Sequence, residues 1–449
     1  MEWLAQWKQI LRLALPSLFA FATQTLTATV CLILVGDLGA VAIGVVGVAN
    51  IVMYNVFALL SGIGYSINYL VAQNYGAGDM AMGVRRTYMA LGISLAAGAA
   101  IALAGWLAGG SILKWTGGSP ELVAAGDGYL ELRFIAIAFG MVSFALYGFF
   151  RGVGKTRIPM LISITGNVII ILLTYVLVYG QWGMPEMGLL GAGYAMLIGE
   201  AAAFALSLAV FWSPPLHRRF MTRVVPRFSW PELRLIGRES VKLGLMEFAM
   251  SVSMLIFTIF VIQLGEVALA ANEVALNIMS FGFMPAFAFG TTATILVGQA
   301  VGSRRPAEAR RAGTHTAMIG TVFLLLLGTA ELIWAEEIAG IYTDDAAVVE
   351  LTAFLISVSA YLQIFDGFYN MYAGGLRGVG DTSFLMRASL VCSFLLFVPL
   401  TYLFVNVLKW GSIGAWLALY GYMTVLGTAV MIRFYRTDFA SVLPKEAKS

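Results

Sequence analysis

Residues 151–156 read RGVGKT, and residues 377–382 read RGVGDT. These two stretches lie 226 positions apart, and the same spacing recurs elsewhere in the chain. It relates Leu38-Gly39 to Leu264-Gly265, Gly64 to Gly290, and Val71, Gln73 and Gly76 to Val297, Gln299 and Gly302. One constant spacing over more than 100 residues is hard to obtain by chance and indicates an internal repeat. The chain therefore consists of two related halves.

Long apolar segments fill most of both halves. The 449 residues are 60% hydrophobic and 11% charged, with a mean hydropathy of +0.87, whereas soluble domains contain roughly 25% charged residues. A bilayer core of ~30 Å needs about 20 helical residues, and twelve segments of at least that length follow one another, six in each half. An even number of spans per half gives a parallel repeat. The sequence thus predicts an all-α membrane protein with twelve transmembrane helices in two six-helix bundles around a central cleft, working by alternating access.

The most polar stretch of the chain lies between the halves. Residues 214–238 contain six arginines and four prolines, which is typical of a linker on a membrane surface. We therefore expect an N-terminal lobe at 1–213, a linker at 214–238 and a C-terminal lobe at 239–449. The other loops rich in Lys and Arg fall on the same side as the linker. The positive-inside rule then places the linker and both termini in the cytoplasm of a multi-pass cell-membrane protein.

Four acidic residues are candidates for positions near the middle of the predicted spans: Glu200, Glu247, Glu273 and Asp366. A charge at the bilayer centre costs at least ~2.5–3.5 kcal/mol, so each of these residues needs a functional or structural role that offsets this cost. Carboxylates gathered in a dry cavity bind a cation, or hold a proton because burial and like-charge repulsion favour the neutral acid. We predict that all four bind the coupling ion, H⁺ or Na⁺, with Asp366 and Glu247 as ligands if it is Na⁺. Hydrogen bonding between helices is the alternative role for these residues.

Polar, aromatic and methionine side chains inside the spans are candidates for substrate contact. A cavity lined with methionines and aromatic rings suits varied, flat, lipophilic cations. The predicted contact residues are Asn50, Met53, Tyr54, Met250, Asn277, Phe281 and Tyr369. Ordinary packing and lipid contact are the alternative. Arg133, in the outer part of the fourth span, is expected to pair with Glu131 or to reach outward to the membrane surface.

The sequence offers no complete enzyme motif. Gly152-Val153-Gly154-Lys155-Thr156 resembles the end of a phosphate-binding loop, but the leading glycine that such a loop requires falls at Phe149. In the second half the lysine is replaced by Asp381. We interpret the segment as a short glycine turn between helices, with Arg151 and Arg377 at the cytoplasmic interface. Without a nucleotide site, and with no cofactor predicted, transport would be passive or driven by an ion gradient.

Several motifs together resemble the multidrug and toxin extrusion (MATE) family, with its DinF-like branch as one candidate. The most specific motifs are Ala270-Ala271-Asn272-Glu273-Val274-Ala275-Leu276-Asn277, Phe283-Met284-Pro285, Val297-Gly298-Gln299-Ala300-Val301-Gly302, and Asp366 upstream of the Arg377 turn. Leu13-Ala14-Leu15-Pro16 and Gly191-Ala192-Gly193 add to them. The resemblance covers nearly the whole chain. It implies two six-helix bundles forming a V-shaped cleft, and export of organic cations or similar amphiphiles in exchange for H⁺ or Na⁺.

The chain departs from this family mainly in its first half. Many relatives carry an Asp where this sequence has Cys31, and a second acid where it has Ile171. The proton site of the N-terminal lobe is therefore largely missing, and Glu200 is the one residue that could replace it. In the second half, the family's helix-7 Glu position falls at Met250, with Glu247 one turn earlier on the same face. We therefore expect coupling in the C-terminal lobe.

These observations predict a secondary antiporter that exports amphiphilic or cationic organic compounds in exchange for H⁺ or Na⁺. Its partners would be small organic substrates and the lipid bilayer, without nucleic acid, and it would act as a monomer. A flippase of lipid-linked precursors from a related superfamily is the first alternative. Such a protein would line its cleft with basic residues, which are nearly absent from the span centres. A membrane receptor or enzyme is the second alternative, and no catalytic constellation supports it.

Overall fold

The computed structural model of this protein describes residues 2–115, 119–342 and 345–441. Twelve of its helices are long and apolar enough to cross a membrane, which confirms the predicted all-α class and number of spans. They are α1 (Glu2–Gly36), α2 (Ala40–Ala77), α3 (Met80–Trp115), α4 (Pro120–Gly152), α5 (Arg157–Tyr179), α6 (Gly188–Phe211), α8 (Trp230–Ile262), α9 (Glu266–Gly302), α10 (Pro306–Ile333), α12 (Ala346–Val379), α13 (Thr382–Val407) and α14 (Gly411–Arg436). Two short helices, α7 (Pro214–Phe220) and α11 (Ala335–Tyr342), stand between them. The α13 span contains two π-helical segments, Cys392–Phe397 and Leu403–Val407.

The chain divides into two compact units. The N-terminal unit comprises Phe19–Tyr75 and Asp79–Gly244, and the C-terminal unit comprises Met1–Leu18, Gly76–Gly78 and Leu245–Ser449. The start of α1 thus groups with the C-terminal unit, and the polar linker groups with the N-terminal unit. The lobes expected at 1–213 and 239–449, with a linker at 214–238, stay a prediction.

Closely packed glycines mark the same point of the repeat in each unit. In the N-terminal unit, a Cβ added to Gly148 of α4 would collide with the carbonyl oxygen of Gly64 on α2. In the C-terminal unit, a Cβ on Gly374 of α12 would collide with the carbonyl oxygen of Gly290 on α9. Small residues at such crossings allow the two backbones to approach closely. The repeat seen in the sequence is therefore also a repeat of helix packing.

The repeated turn RGVG ends a long helix in both halves. Helix α4 ends at Gly152 and α12 ends at Val379. The next glycines, Gly154 and Gly380, have φ angles of +76° and +93°, a left-handed conformation that L side chains rarely adopt. The predicted short glycine turn between helices is confirmed at both places.

The arginine-rich linker packs on the N-terminal unit. The ring of Phe220 in α7 is buried edge-to-face against Phe149 of α4. The hydroxyl of Tyr88 donates a hydrogen bond of 2.6 Å to the backbone oxygen of Thr222. Further along, Glu232 at the start of α8 forms an ion pair of 2.7 Å with Arg86. These contacts connect the linker to the ends of α3 and α4.

Candidate ion-coupling site

The C-terminal unit buries an acidic side chain on α12. Asp366 is 8% exposed, and Nδ2 of Asn370, one turn later, donates to its Oδ1 at 3.1 Å and to its backbone oxygen at 3.0 Å. Gly290 of α9 packs directly on the backbone of Asn370, which fixes this turn of the helix. A charged carboxylate is costly in such a place unless a cation or a proton neutralises it.

Two buried tyrosines connect Asp366 with Glu247 of α8. Tyr369 and Tyr422 each lie within electrostatic range of both carboxylates. The Tyr422 hydroxyl shares a hydrogen bond of 3.2 Å with Oγ of Ser393. The Tyr369 hydroxyl is buried and has no hydrogen-bond partner within the described part of the chain. The Tyr369 hydroxyl therefore lies within electrostatic range of the carboxylates of Glu247 on α8 and Asp366 on α12.

Arg377 adds a positive charge to the same group of residues. Its side chain is 4% exposed and interacts electrostatically with Glu247 and Tyr369. Arg377 thus lies buried in the last turn of α12, and its position at the cytoplasmic interface stays a prediction. We refer to Glu247, Asp366, Tyr369, Arg377 and Tyr422 as the C-terminal cluster.

Glu331 on α10 is a second buried acid, and it is not among the site residues predicted from the sequence. Glu331 is 5% exposed, and Nε2 of Gln363 donates to its Oε2 at 2.9 Å. Its Oε1 has no partner among the residues described. Tyr420 lies within electrostatic range of both Glu331 and Asp366. The apolar run at 321–330 directly before Glu331 was the signal that it lies inside a span.

The other two predicted carboxylates have different surroundings. Glu273 of α9 is exposed and interacts with its neighbour Asn272, and no described contact joins it to the C-terminal cluster. Glu200 belongs to the N-terminal unit, where a Cβ added at Gly140 would lie 2.9 Å from its Oε2. Gly140 occupies the place in the repeat that Asp366 holds in the second half. The roles of Glu273 and Glu200 in coupling stay predictions.

The seven residues predicted to contact substrate differ in burial. Asn50, Tyr54, Asn277 and Phe281 are exposed on their own units, Met250 is half-buried, and Met53 and Tyr369 are buried. Met53 lies in a hydrophobic core with Val45, Ala49 and Tyr129. A substrate would reach Met53 only after these helices separate. Contact between these seven residues and a substrate stays a prediction.

Asn50 binds an arginine within the N-terminal unit. Nη1 of Arg133 on α4 donates to Oδ1 of Asn50 at 3.1 Å and to the hydroxyl of Tyr129 at 2.8 Å. Among the described ion pairs none joins Arg133 to Glu131, so that expected pair is not formed, and the reach of Arg133 to the membrane surface stays a prediction. A cavity of about 20 Å³ adjoins it, and its polar lining residues are Cys31, Asn50, Tyr129, Arg133 and Thr174.

The MatE family model matches residues 16–176 and again residues 243–403. The chain belongs to the MatE family. The two matches correspond to the two halves of the sequence repeat, so the family resemblance and the repeat are both confirmed. Because this is a family of transporters, the expectation that the protein is a transporter and not an enzyme is also confirmed.

The relatives of this MatE protein align along almost the whole chain. The probable multidrug resistance protein NorM of Bradyrhizobium diazoefficiens is 30% identical, over 91% of this chain and 89% of the relative. The multidrug resistance protein PmpM of Pseudomonas aeruginosa is 29% identical, over 95% of this chain and 90% of the relative. The solved outward-facing structure of a multidrug resistance MATE family transporter of the MOP superfamily has a TM-score of 0.87 and 21% identity, covering 98% of this chain and 96% of that one. The DinF-like branch stays a prediction.

The oxygen atoms of the C-terminal cluster suit a small transported cation. Among the described residues of this MatE transporter, no three His, Cys, Asp or Glu side chains gather as a metal site. Asp366, Glu247 and the Tyr369 hydroxyl instead offer oxygen atoms from α8 and α12. Tyr369, which the sequence analysis assigned to substrate contact, therefore lies with the candidate ion-binding residues.

Proposed function

We propose that this protein exports amphiphilic or cationic organic compounds across the cell membrane in exchange for H⁺ or Na⁺, by alternating access. The observation that carries the proposal is the C-terminal cluster, in which Asp366 and Glu247 from two helices lie within electrostatic range of the same buried tyrosines. The names of the NorM and PmpM relatives, both multidrug resistance proteins, support the substrate class. In this proposal the protein acts as a monomer and without a cofactor.

Coupling follows from the charges of the cluster. Asp366 and Glu247 carry two negative charges when ionised, and Arg377 balances one of them. One cation or one proton neutralises the remainder, so ion occupancy changes which packing of α8 against α12 is more stable. A ligand that binds two packings with different affinity shifts the balance between them, and this difference is what exchange with a substrate requires.

Reconstituted vesicles test the exchange directly. Purified protein is placed in liposomes, a fluorescent organic cation is loaded, and H⁺ and Na⁺ gradients are imposed one at a time. We expect efflux to require one of the two gradients and to be indifferent to ATP. Efflux that needs ATP and ignores both gradients would refute the proposal.

We also infer that the linker and both chain termini face the cytoplasm, on the strength of the arginine cluster at 214–238. A cysteine at Ser229 should react with a membrane-impermeant maleimide in inverted vesicles and not in intact cells. A cysteine at Glu186, on the opposite side, is the control and should react in intact cells. The native Cys31 and Cys392 are buried, so background labelling should be low. Labelling of Ser229→Cys from outside intact cells would overturn the orientation.

A further inference from the structure

We propose that Arg133 binds a carboxylate of the exported compound, so that the N-terminal unit favours substrates that carry an anionic group beside their cationic or apolar part. This role rests on the proposed export function and narrows its substrate class. It concerns the Arg133 site, defined as Arg133, its partners Asn50 and Tyr129, and the adjoining cavity.

Arg133 is a membrane-embedded cation that lacks an acidic partner in direct contact. It lies within α4 (Pro120–Gly152), in the outer part of the predicted span, and an arginine inside a span calls for a partner. Asn50 and Tyr129 are neutral. None of the ion pairs in the described chain includes Arg133, and Glu200 acts on it only through longer-range electrostatics. Its positive charge therefore remains available to a bound anion.

The geometry of the guanidinium group leaves one edge free. The two hydrogen bonds to Asn50 and Tyr129 both use Nη1 and so fix the plane of the group. Nε and Nη2 have no hydrogen-bond partner in the part of the chain that the structure describes, and the side chain is half-buried, so a ligand can reach it. Two parallel N–H groups on one edge match the two oxygens of a carboxylate.

The cavity beside Arg133 has the size and lining that such a ligand needs. Its volume of about 20 Å³ accommodates one atom of the size of a water oxygen. Cys31 and Thr174 line it, with their Sγ and Oγ1 atoms 3.6 Å apart, and the described lining contains no carboxylate to compete for the arginine. One oxygen of a substrate carboxylate can therefore enter while the rest of the compound stays outside.

Two dyes that differ in one charge test the assignment. Rhodamine B and its ethyl ester share a cationic ring system, and only rhodamine B has a free carboxylate. Their binding to purified protein is measured by fluorescence polarisation, without any ion gradient. The wild-type protein should bind rhodamine B about tenfold more tightly than the ester, because a charge-assisted hydrogen bond contributes about 1.5–3 kcal/mol and each 1.4 kcal/mol is tenfold.

Variants of the protein show which residue causes the preference for rhodamine B over its ester. Arg133→Gln should abolish it while leaving the affinity for the ester within about twofold. Arg133→Lys, which keeps the charge and loses the planar fork, should keep part of it. Arg157→Gln, which removes an exposed arginine of the same unit, is the matched control and should keep all of it. If Arg133→Gln fails to fold, Tyr129→Phe, which removes one of the two hydrogen bonds that fix the plane of the guanidinium, should still lower the preference for rhodamine B.

Several results would overturn the role of Arg133. In the first, the wild-type protein binds rhodamine B no more tightly than the ester. In the second, it binds neither dye. In the third, Arg133→Gln weakens the binding of both dyes equally. The dyes also separate this role from the export function. Gradient-driven efflux of the ester but not of rhodamine B would overturn the role of Arg133 and leave export intact. The expected binding preference without gradient-driven efflux of either dye would overturn export instead.

Discussion

Two arginines at the same position of the repeat have opposite surroundings. Arg151 is 5% exposed, and its guanidinium carbon lies 5.7, 5.5 and 6.0 Å from the ring centres of Phe21, Phe144 and Tyr147. Arg377 is equally buried and interacts with Glu247. Phe21 and Glu247 are themselves 226 positions apart, the spacing of the repeat. The same place in the fold thus holds a ring in one half and an acid in the other.

In our proposal this difference assigns ion coupling to the C-terminal half. Aromatic faces stabilise an arginine without adding a negative charge. None of the described ion pairs includes Arg151, although Tyr147 beside it lies within electrostatic range of Glu200. The acid beside Arg377 belongs to the C-terminal cluster, which we propose to bind the coupling ion. At two further positions of the repeat, an apolar residue in the first half corresponds to a polar residue in the second. Gly140 corresponds to Asp366, and Phe144 corresponds to Asn370. The comparison predicts that coupling depends on the C-terminal unit.

The largest expected effect comes from Asp366→Asn. The amide keeps the shape and loses the charge, so gradient-driven dye efflux should fall to the level of empty liposomes while the protein remains folded. Glu200→Gln removes the buried acid of the N-terminal unit and should reduce efflux less. Efflux is measured in proteoliposomes, and folding by size-exclusion chromatography. Normal efflux from Asp366→Asn, together with no efflux from Glu200→Gln, would place the coupling site in the N-terminal unit.

A smaller effect is expected from Glu247→Gln. With Glu247 neutral, Asp366 and Arg377 balance each other, and the cluster attracts a cation less strongly. We expect gradient-driven efflux to fall about tenfold, which corresponds to about 1.4 kcal/mol of ion binding. Glu266→Gln, at an exposed position of the same unit, is the control. If the two variants transport equally well, Glu247 is not part of the ion site.

The smallest effect on transport is expected from Arg151→Gln. Cation–π contacts contribute about 0.5–2 kcal/mol each, so thermal unfolding followed by tryptophan fluorescence should show a lower midpoint. Efflux per folded molecule should stay within about twofold of the wild-type value. Arg377→Gln, the equivalent change in the second half, should lower efflux several-fold. A loss of coupling in Arg151→Gln as complete as that in Asp366→Asn would remove the distinction between the two halves.

Helix identity and the repeat could be predicted from the sequence, because both depend on local signals. The length of each apolar segment sets a span, and the RGVG turns carry their own backbone requirement at Gly154 and Gly380. Asp366 and Glu247 could be singled out from the sequence because acids are rare near the centres of the spans, and their role in coupling stays a prediction.

The partners of buried charges could not be predicted, because packing between distant helices decides them. Arg133 donates to Asn50, which is 83 positions away, and Glu331 accepts from Gln363, which is 32 positions away. Helices that are apolar on nearly every face give little indication of which side meets lipid and which meets a neighbour. The burial of Arg151 and Arg377 could not be predicted for a related reason: arginines at helix ends usually reach the surface, but here aromatic and acidic side chains surround them.

The coupling ion itself offers the most direct test of the C-terminal cluster. Substrate is added to purified protein in a weakly buffered solution, and a pH indicator reports released protons; radioactive sodium replaces the indicator if Na⁺ is the coupling ion. The wild-type protein should release one ion per molecule, because one ion neutralises the net charge of the cluster. Asp366→Asn should release none, and Glu200→Gln should release as much as the wild type. Unchanged release from Asp366→Asn, with release lost in Glu200→Gln, would contradict coupling in the C-terminal unit.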